Sequence, residues 1–397
     1  MKKFIALLLA LVMVMSLVAC GAKEAPKTEA PAADAPAADA PAAAAGAIKV
    51  GTSGPLTNDY AVYGVAVKNG LELAFNEINA LGGMQFEARA EDDEADGEMA
   101  VNAYNTLMDW GMQIMAGPTT SGSAAAAAAE CASDGVFMLT PSASDAAVIT
   151  AGDNVFQICF TDPNQGVGSA DFISSHNLAT KVGVIYDNSN PYSLGIYNKF
   201  MEQAAKVGLE VVAEEAYSAD NKADLSTQVT KCQAAGADLV FLPIYAAEAV
   251  QILVSADKID YNPIFFGCDG LDGILTAEGF DPALAEGVML LTPFDASASD
   301  EKTQNFVKAY TEKYGITPNQ FAADAYDVGY AIYQACQNAG VTADMSAEDI
   351  CALMIEQFTS MSFDGLTGQG MTWGADGAVS KLPMAVVIEN GVYVGVE

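Results

Sequence analysis

The stretch Gly117-Pro118-Thr119-Thr120-Ser121-Gly122-Ser123 is suited to binding rather than to catalysis. It follows a short β-rich run and precedes an alanine-rich helical one. Ser121 or Ser123 is placed to cap that helix. The free N–H groups of its first turn and the helix dipole favour an anion there. Thr140-Pro141-Ser142-Ala143-Ser144 follows the next β-rich run. It therefore leaves the sheet at the same edge, where open α/β sheets bind their ligands. Ser142 offers backbone groups at that edge, and Ser144 offers a hydroxyl. Asp269, which ends the predicted strand Pro263–Phe266, reads on its own as a turn aspartate before Gly270.

Catalytic patterns are missing from the sequence. Its one histidine, His176, falls on a predicted helix remote from the serine loops, so a Ser-His-Asp arrangement has little support. There is no P-loop, no complete G-x-G-x-x-G and no H-E-x-x-H. The acidic run Glu91-Asp92-Asp93-Glu94-Ala95-Asp96-Gly97 opens like a calcium loop. Its twelfth position is Ala103, however, where an EF-hand needs glutamate. It is expected to be a solvated loop. Cys131, Cys159, Cys232, Cys268, Cys336 and Cys351 are scattered with no zinc spacing, and are expected to be buried free thiols. No enzyme activity, cofactor or metal is expected.

The elements that position these loops follow from periodicity. Strands are predicted at Ile48–Thr52, Phe86–Glu91, Gln113–Ala116 and Val136–Leu139, with helices at Tyr63–Leu81, Met99–Trp110 and Ser123–Ser133 between them. A second alternating series runs from a helix near 165–176 to a strand at Pro263–Phe266. Such alternation predicts parallel sheets covered on both faces. Two series predict an α/β protein of two doubly wound, Rossmann-like lobes. The segments 301–314, 319–339 and 346–358 read as helices, and 361–373 and 384–394 as short strands and hairpins.

The N-terminus is of another kind. Lys2 and Lys3 precede an apolar run from Phe4 to Ala19, which reads as a signal peptide over 1–19. Leu17-Val18-Ala19-Cys20-Gly21 resembles the lipobox of bacterial lipoproteins. That resemblance implies cleavage before Cys20, diacylglycerol on its thiol, and an extracytoplasmic protein anchored by lipid to the cell membrane. Residues 20–47 are rich in Ala-Pro and read as a semi-rigid tether. The formal charge of −34 becomes about −36 once Lys2 and Lys3 are lost. Such a field repels nucleic acid and anionic lipid.

A family resemblance rests on several stretches. They are Gly54-Pro55-Leu56-Thr57, Tyr63-Gly64 with Lys68-Asn69-Gly70-Leu71-Glu72-Leu73-Ala74, Glu77-Ile78-Asn79-Ala80-Leu81-Gly82-Gly83, Glu91-Asp92-Asp93, Pro141-Ser142-Ala143-Ser144, Tyr186-Asp187-Asn188, Asp269-Gly270-Leu271 and Ala325-Tyr326-Asp327. In order and spacing the chain resembles the substrate-binding proteins of branched-chain amino acid ABC importers, the type I periplasmic binding protein fold. The resemblance implies a monomer of two lobes joined by three crossover segments, with an amino acid ligand held in the cleft and a membrane permease as partner. Lobe one would be 48–162 plus 293–370 and lobe two 163–292 plus 371–397, with crossings near 161–163, 292–294 and 365–372. It also implies that Ser121 and Ser144 meet the ligand carboxylate and Asp269 its ammonium, and that Tyr63, Tyr192 and Tyr245 line the cleft. Tyr326 matches a recurrent family tyrosine. Relatives bind amides, urea and aromatic acids as well, and the same fold serves sensors that report to a receptor.

Overall fold

A computed structural model describes residues 46–396. The expected signal peptide, Cys20 and nearly all of the tether lie outside the described residues. The chain builds two sheets. The first contains β1 (Ile48–Gly54), β2 (Phe86–Asp92), β3 (Ile114–Met115), β4 (Phe137–Thr140) and β5 (Val155–Gln157), in the order β2-β1-β3-β4-β5 and parallel throughout. The second contains β6 (Val182–Asp187), β7 (Val211–Tyr217), β8 (Leu239–Leu242), β9 (Ile264–Gly267), β10 (Met289–Thr292), β11 (Met384–Glu389) and β12 (Val392–Val396), in the order β12-β11-β10-β9-β8-β6-β7. Strands β6 to β10 are parallel, β11 runs antiparallel to β10, and β12 runs antiparallel to β11.

The helices are α1 (Ala61–Ala80), α2 (Gly97–Trp110), α3 (Ser121–Asp134), α4 (Ala146–Ile149), α5 (Asp162–Ser175), α6 (Pro191–Val207), α7 (Ser226–Ala235), α8 (Ala246–Lys258), α9 (Glu301–Tyr314), α10 (Gln320–Ala339) and α11 (Ala347–Phe358). Strands β4, β8 and β10 are buried along their whole length, as expected of strands covered on both faces. Helices α1 and α10 pack closely through a glycine. A methyl group built on Gly70 would sit 2.2 Å from the Ala322 carbonyl oxygen, so no larger residue fits without parting the helices.

The predicted strands correspond to β1–β4 and β6–β9, whereas β5, α4 and β10 were not predicted. Those three span only three or four residues each. Two other expectations change. The acidic run after β2 is not a solvated loop throughout. Asp93 is fully buried, accepts from Ser53 Oγ at 2.9 Å and binds the Ala95 N–H, while Asp96 caps α2. The last crossing also comes later than 365–372. Trp373 Nε1 donates to the Gln157 carbonyl at 2.8 Å, and Gln157 N donates to the Gly377 carbonyl. This stretch is therefore still attached to β5, and the chain reaches the second sheet only at Met384. All six cysteines of the described residues are buried free thiols.

The late crossing is anchored by a buried ion pair. Lys381 Nζ lies 2.6 Å from Asp324 Oδ1 on α10 and also donates to Thr367 Oγ1, with both charged side chains at most 3% exposed. Replacing Lys381 with alanine leaves the buried Asp324 carboxyl without its ion-pair partner. Such losses cost about 3–5 kcal/mol. Urea denaturation of Lys381→Ala should show a loss of that size, and a loss below about 1 kcal/mol would contradict the role given to the pair.

Candidate functional site

Both sheets present the carboxyl ends of their strands to one cavity, as doubly wound sheets do at the point where strand order reverses. From the first sheet come Thr119, Thr120 and Ser121, which follow β3, and Ser142, which follows β4. From the second come Tyr192, after β6; Tyr245, after β8; and Asp269 with Gly270, after β9. Tyr63 of α1 and Phe321 of α10 close the sides. The walls lie close together, leaving a cavity of only about 10 Å³, and no lysine or arginine lines it.

Six of the seven expected residues meet here: Tyr63, Ser121, Ser142, Tyr192, Tyr245 and Asp269. Ser144 lies just behind them, fully buried, its hydroxyl without a partner among the described residues. Thr119, Thr120, Gly270 and Phe321 were not singled out from sequence. The first three adjoin residues that were. Phe321 is brought in from far along the chain by the start of α10.

The anion side is built from the N-terminus of α3. The residue at the cap is Thr120, not Ser121 or Ser123; both serines lie inside the first turn. Thr120 makes no capping bond, because its hydroxyl donates to Ser123 Oγ at 3.1 Å. The first-turn N–H groups therefore keep no side-chain cap and are free for an anion. Ser121 Oγ accepts from Asp145 N at 3.2 Å, which leaves its proton free to donate. Ser142 Oγ donates to the Thr119 carbonyl at 2.6 Å and ties the two loops together.

On the opposite wall Asp269 begins a short 3-10 turn, two residues beyond the end of β9 rather than at the strand's last residue. Tyr192 Oη donates to Asp269 Oδ1 at 2.6 Å and accepts from Gly270 N at 2.9 Å. Gly270 has to be glycine, since a methyl group there would meet Tyr192 Oη at 2.6 Å and the Ile244 carbonyl at 2.7 Å. Gln320 at the start of α10 donates to the Asp269 carbonyl at 2.8 Å and accepts from Thr292 at 3.1 Å. The Asp269 turn is thus clamped from three directions. Burial pushes its carboxyl up to about 7, against the hydrogen bond from Tyr192.

Aromatic rings form the remaining surface. Tyr192 stacks on Tyr245 at 4.9 Å, Tyr245 meets Tyr63 at 5.3 Å, and Tyr63 packs edge-on against Phe321 at 4.9 Å. Tyr63 also joins the two sheets' halves. Its hydroxyl donates to the Gly270 carbonyl at 2.6 Å and accepts from Ala246 N at 2.8 Å. Nearby, Tyr60 Oη donates to Glu248 Oε1 at 2.6 Å, and Lys222 contacts both. Tyr326 stands apart from the cavity, bound to Glu77 at 2.6 Å. His176 is also remote from the serine loops, stacked on Phe172 at 3.9 Å at the end of α5.

Comparison with known proteins agrees with this arrangement. A family model described as periplasmic binding protein matches residues 47–391. The Leu/Ile/Val-binding protein homolog 3 of Brucella melitensis is 28% identical over 304 residues, spanning 76% of this chain and 81% of that protein. The branched-chain amino acid transporter substrate-binding protein LivJ of Streptococcus pneumoniae, solved with isoleucine, superposes with a TM-score of 0.78 at 27% identity, covering 88% of this chain and all of that one. A solute-binding protein from R. palustris, solved with benzoate, shares the fold with a TM-score of 0.79 at 21% identity, covering 88% and 96%. With both lobes, their crossovers and nearly the whole described chain accounted for, this protein belongs to the periplasmic binding protein family, in its type I fold.

Proposed function

We propose that the protein is the extracytoplasmic substrate-binding component of an ABC importer and captures a free amino acid with an aliphatic side chain. Lobe one comprises residues 48–162 and 293 to the late crossing, and lobe two the remainder. Cys20 carries the lipid anchor, the monomer closes on its ligand, and the closed form docks on the permease. The observation that supports this reading best is the polarity of the cavity. Uncapped N–H groups and Ser121 occupy one wall, and the Asp269 carboxylate the other, with aromatic rings between them. That order suits the carboxylate, ammonium and apolar side chain of an amino acid. Charge-assisted bonds of both signs, made in a closed cleft, are strong. The ligand touches both lobes and so favours their closed arrangement.

A second reading keeps the fold and changes the cargo to an aromatic acid, as in the benzoate-bound relative. The ring-lined wall favours it. A charged Asp269 opposes it, since such a ligand brings no cation.

The two readings part with pH. The ammonium needs Asp269 ionised, and its carboxyl stands at about 7. Amino acid affinity is therefore fully present above pH 7 and lost as pH falls through it. The loss is about tenfold between pH 8 and pH 6. Titration calorimetry with leucine, isoleucine and valine should show that slope, and Asp269→Asn should flatten it while weakening binding. An aromatic acid would bind more tightly at the lower pH, and that result would replace the amino acid reading with the second one.

Closure has its own test. Tyr63→Phe leaves the Gly270 carbonyl and the Ala246 N–H without their shared hydroxyl. Each unsatisfied buried group costs about 1–3 kcal/mol. At the same leucine concentration the variant should close less completely than wild type, giving a larger radius of gyration by small-angle scattering. An unchanged radius would show that this hydroxyl does not hold the lobes together.

A further inference from the structure

Glu248 lies in the first turn of α8, at the rim of the cleft, and is 3% exposed. A buried carboxylate is costly unless it is paired. Lys222, in the turn between β7 and α7, brings its ammonium to 3.1 Å from Glu248 Oε1. The Gln251 side-chain amide can donate to the Lys222 and Ala223 carbonyls at 3.0 and 3.2 Å, which ties that turn to α8. On the division into lobes proposed above, both partners belong to lobe two, so their pair stands whether or not the lobes meet. Tyr60, just before α1, comes from lobe one. Its hydroxyl donates to Glu248 Oε1 at 2.6 Å and accepts from Lys222 Nζ, and the same ammonium lies 4.7 Å from the centre of its ring. Burial and the Glu248 charge hold the Tyr60 phenol well above its usual range, so it keeps the proton it donates.

This contact lies one layer outside the ligand cavity. Tyr60 does not line the cavity, but its ring packs edge-on at 5.4 Å against Tyr245, which does. We propose that Tyr60 is a latch: its hydroxyl enters a socket that Glu248 and Lys222 hold ready on the other lobe, and its departure sets the rate at which the closed lobes part and release ligand. The latch rests on the closing mechanism proposed above and names the group that times it. Two features suit the socket to that role. The pair is already assembled, so closure orders one side chain rather than three, and less is lost in forming the contact. The neighbouring Tyr63 contact is made to neutral groups, whereas Tyr60 meets a full charge, and charge-assisted bonds are the stronger kind. The bond is short-ranged and forms after the lobes have met, so it slows opening without speeding approach.

A purely packing role for the Tyr60 ring is the rival, and kinetics separate the two. With one dye on each lobe, single-molecule energy transfer reads how long the lobes stay closed. It is run without ligand and with whichever of the twenty amino acids binds wild type best. Tyr60→Phe keeps the ring and removes the hydroxyl. It should shorten the closed-state lifetime, and speed ligand release, by at least about tenfold, the size of a lost hydrogen bond to a charged group. The rate of closing should stay within about threefold. A smaller change in lifetime, or one placed in the closing rate, overturns the latch and leaves the amino acid reading standing. Lys222→Met should also shorten the lifetime. In the double variant the two effects should not multiply, since residues of one network are not additive; effects that multiply overturn Lys222 as part of the socket. Wild type that binds none of the twenty overturns the amino acid reading instead, and the latch is then judged on ligand-free closures. Wild type that never closes overturns both.

Discussion

A carboxylate held in a closed cleft with no cation to face it is the constraint on which this site depends. Asp269 is 4% exposed, and none of the residues lining its cavity is basic. An isolated buried charge is expensive, and proteins relieve it by pairing or by protonation. Here Tyr192 and the Gly270 N–H partly satisfy the group, and the rise of its pKa to about 7 measures what they leave undone. The remaining relief has to come from outside the protein. A site built this way discriminates by sign as well as by shape. On the amino acid reading it would hold a cation that also brings an anion for the α3 amides, and penalise a ligand that brings only the anion.

The same walls would make binding and closure one event under the proposed function. The anion donors stand on the first sheet's loops and the acceptor on the second's, so neither lobe alone makes a complete site. Tyr63 sits between them with both hydrogen-bonding positions of its hydroxyl spent on lobe two. Tyr60 and Glu248 repeat the contact at the rim. These bonds exist only when the lobes meet, so each adds to the closed state and none to the open one. A ligand that touches both walls adds further to that difference, and only such a difference shifts a population.

How much of this could be read from the sequence follows from where each signal lies. Ser121 and Ser142 were legible because strand, polar loop and helix follow one another locally, and the chemistry of a helix N-terminus needs no distant partner. The capping residue was misassigned by one position, because Thr120 spends its hydroxyl on Ser123 and the choice among neighbouring hydroxyls is made by rotamers. Tyr63, Tyr192, Tyr245 and Asp269 were reached through family resemblance. Nothing local marks a tyrosine as facing a cleft. Phe321 was not singled out at all, because it is carried to the cavity by a helix more than 50 residues beyond Asp269. β5 and β10 were lost because neither follows a long helix, so the strand–helix alternation that marked the equally short β4, β8 and β9 was absent there.

The hinge shows why a binding protein keeps polar groups that a static core would discard. Asp324, Lys381 and Thr367 form a buried network where the chain leaves the first sheet, and Asp327 secures Thr367 through both its N–H and its hydroxyl. Burial still pushes the Asp324 carboxyl up to about 6 with the Lys381 ammonium beside it, so the pair does not recover its full cost of desolvation. Apolar replacements of such pairs are often as stable or more so. An apolar contact, however, slides, whereas an ammonium 2.6 Å from a carboxylate has one register. On the proposed closing mechanism, the lobes would swing about fixed points, so that the α3 amides and Asp269 return to the same separation on each closure. The ion pair gives up stability for position at the place where error would be magnified across the whole lobe.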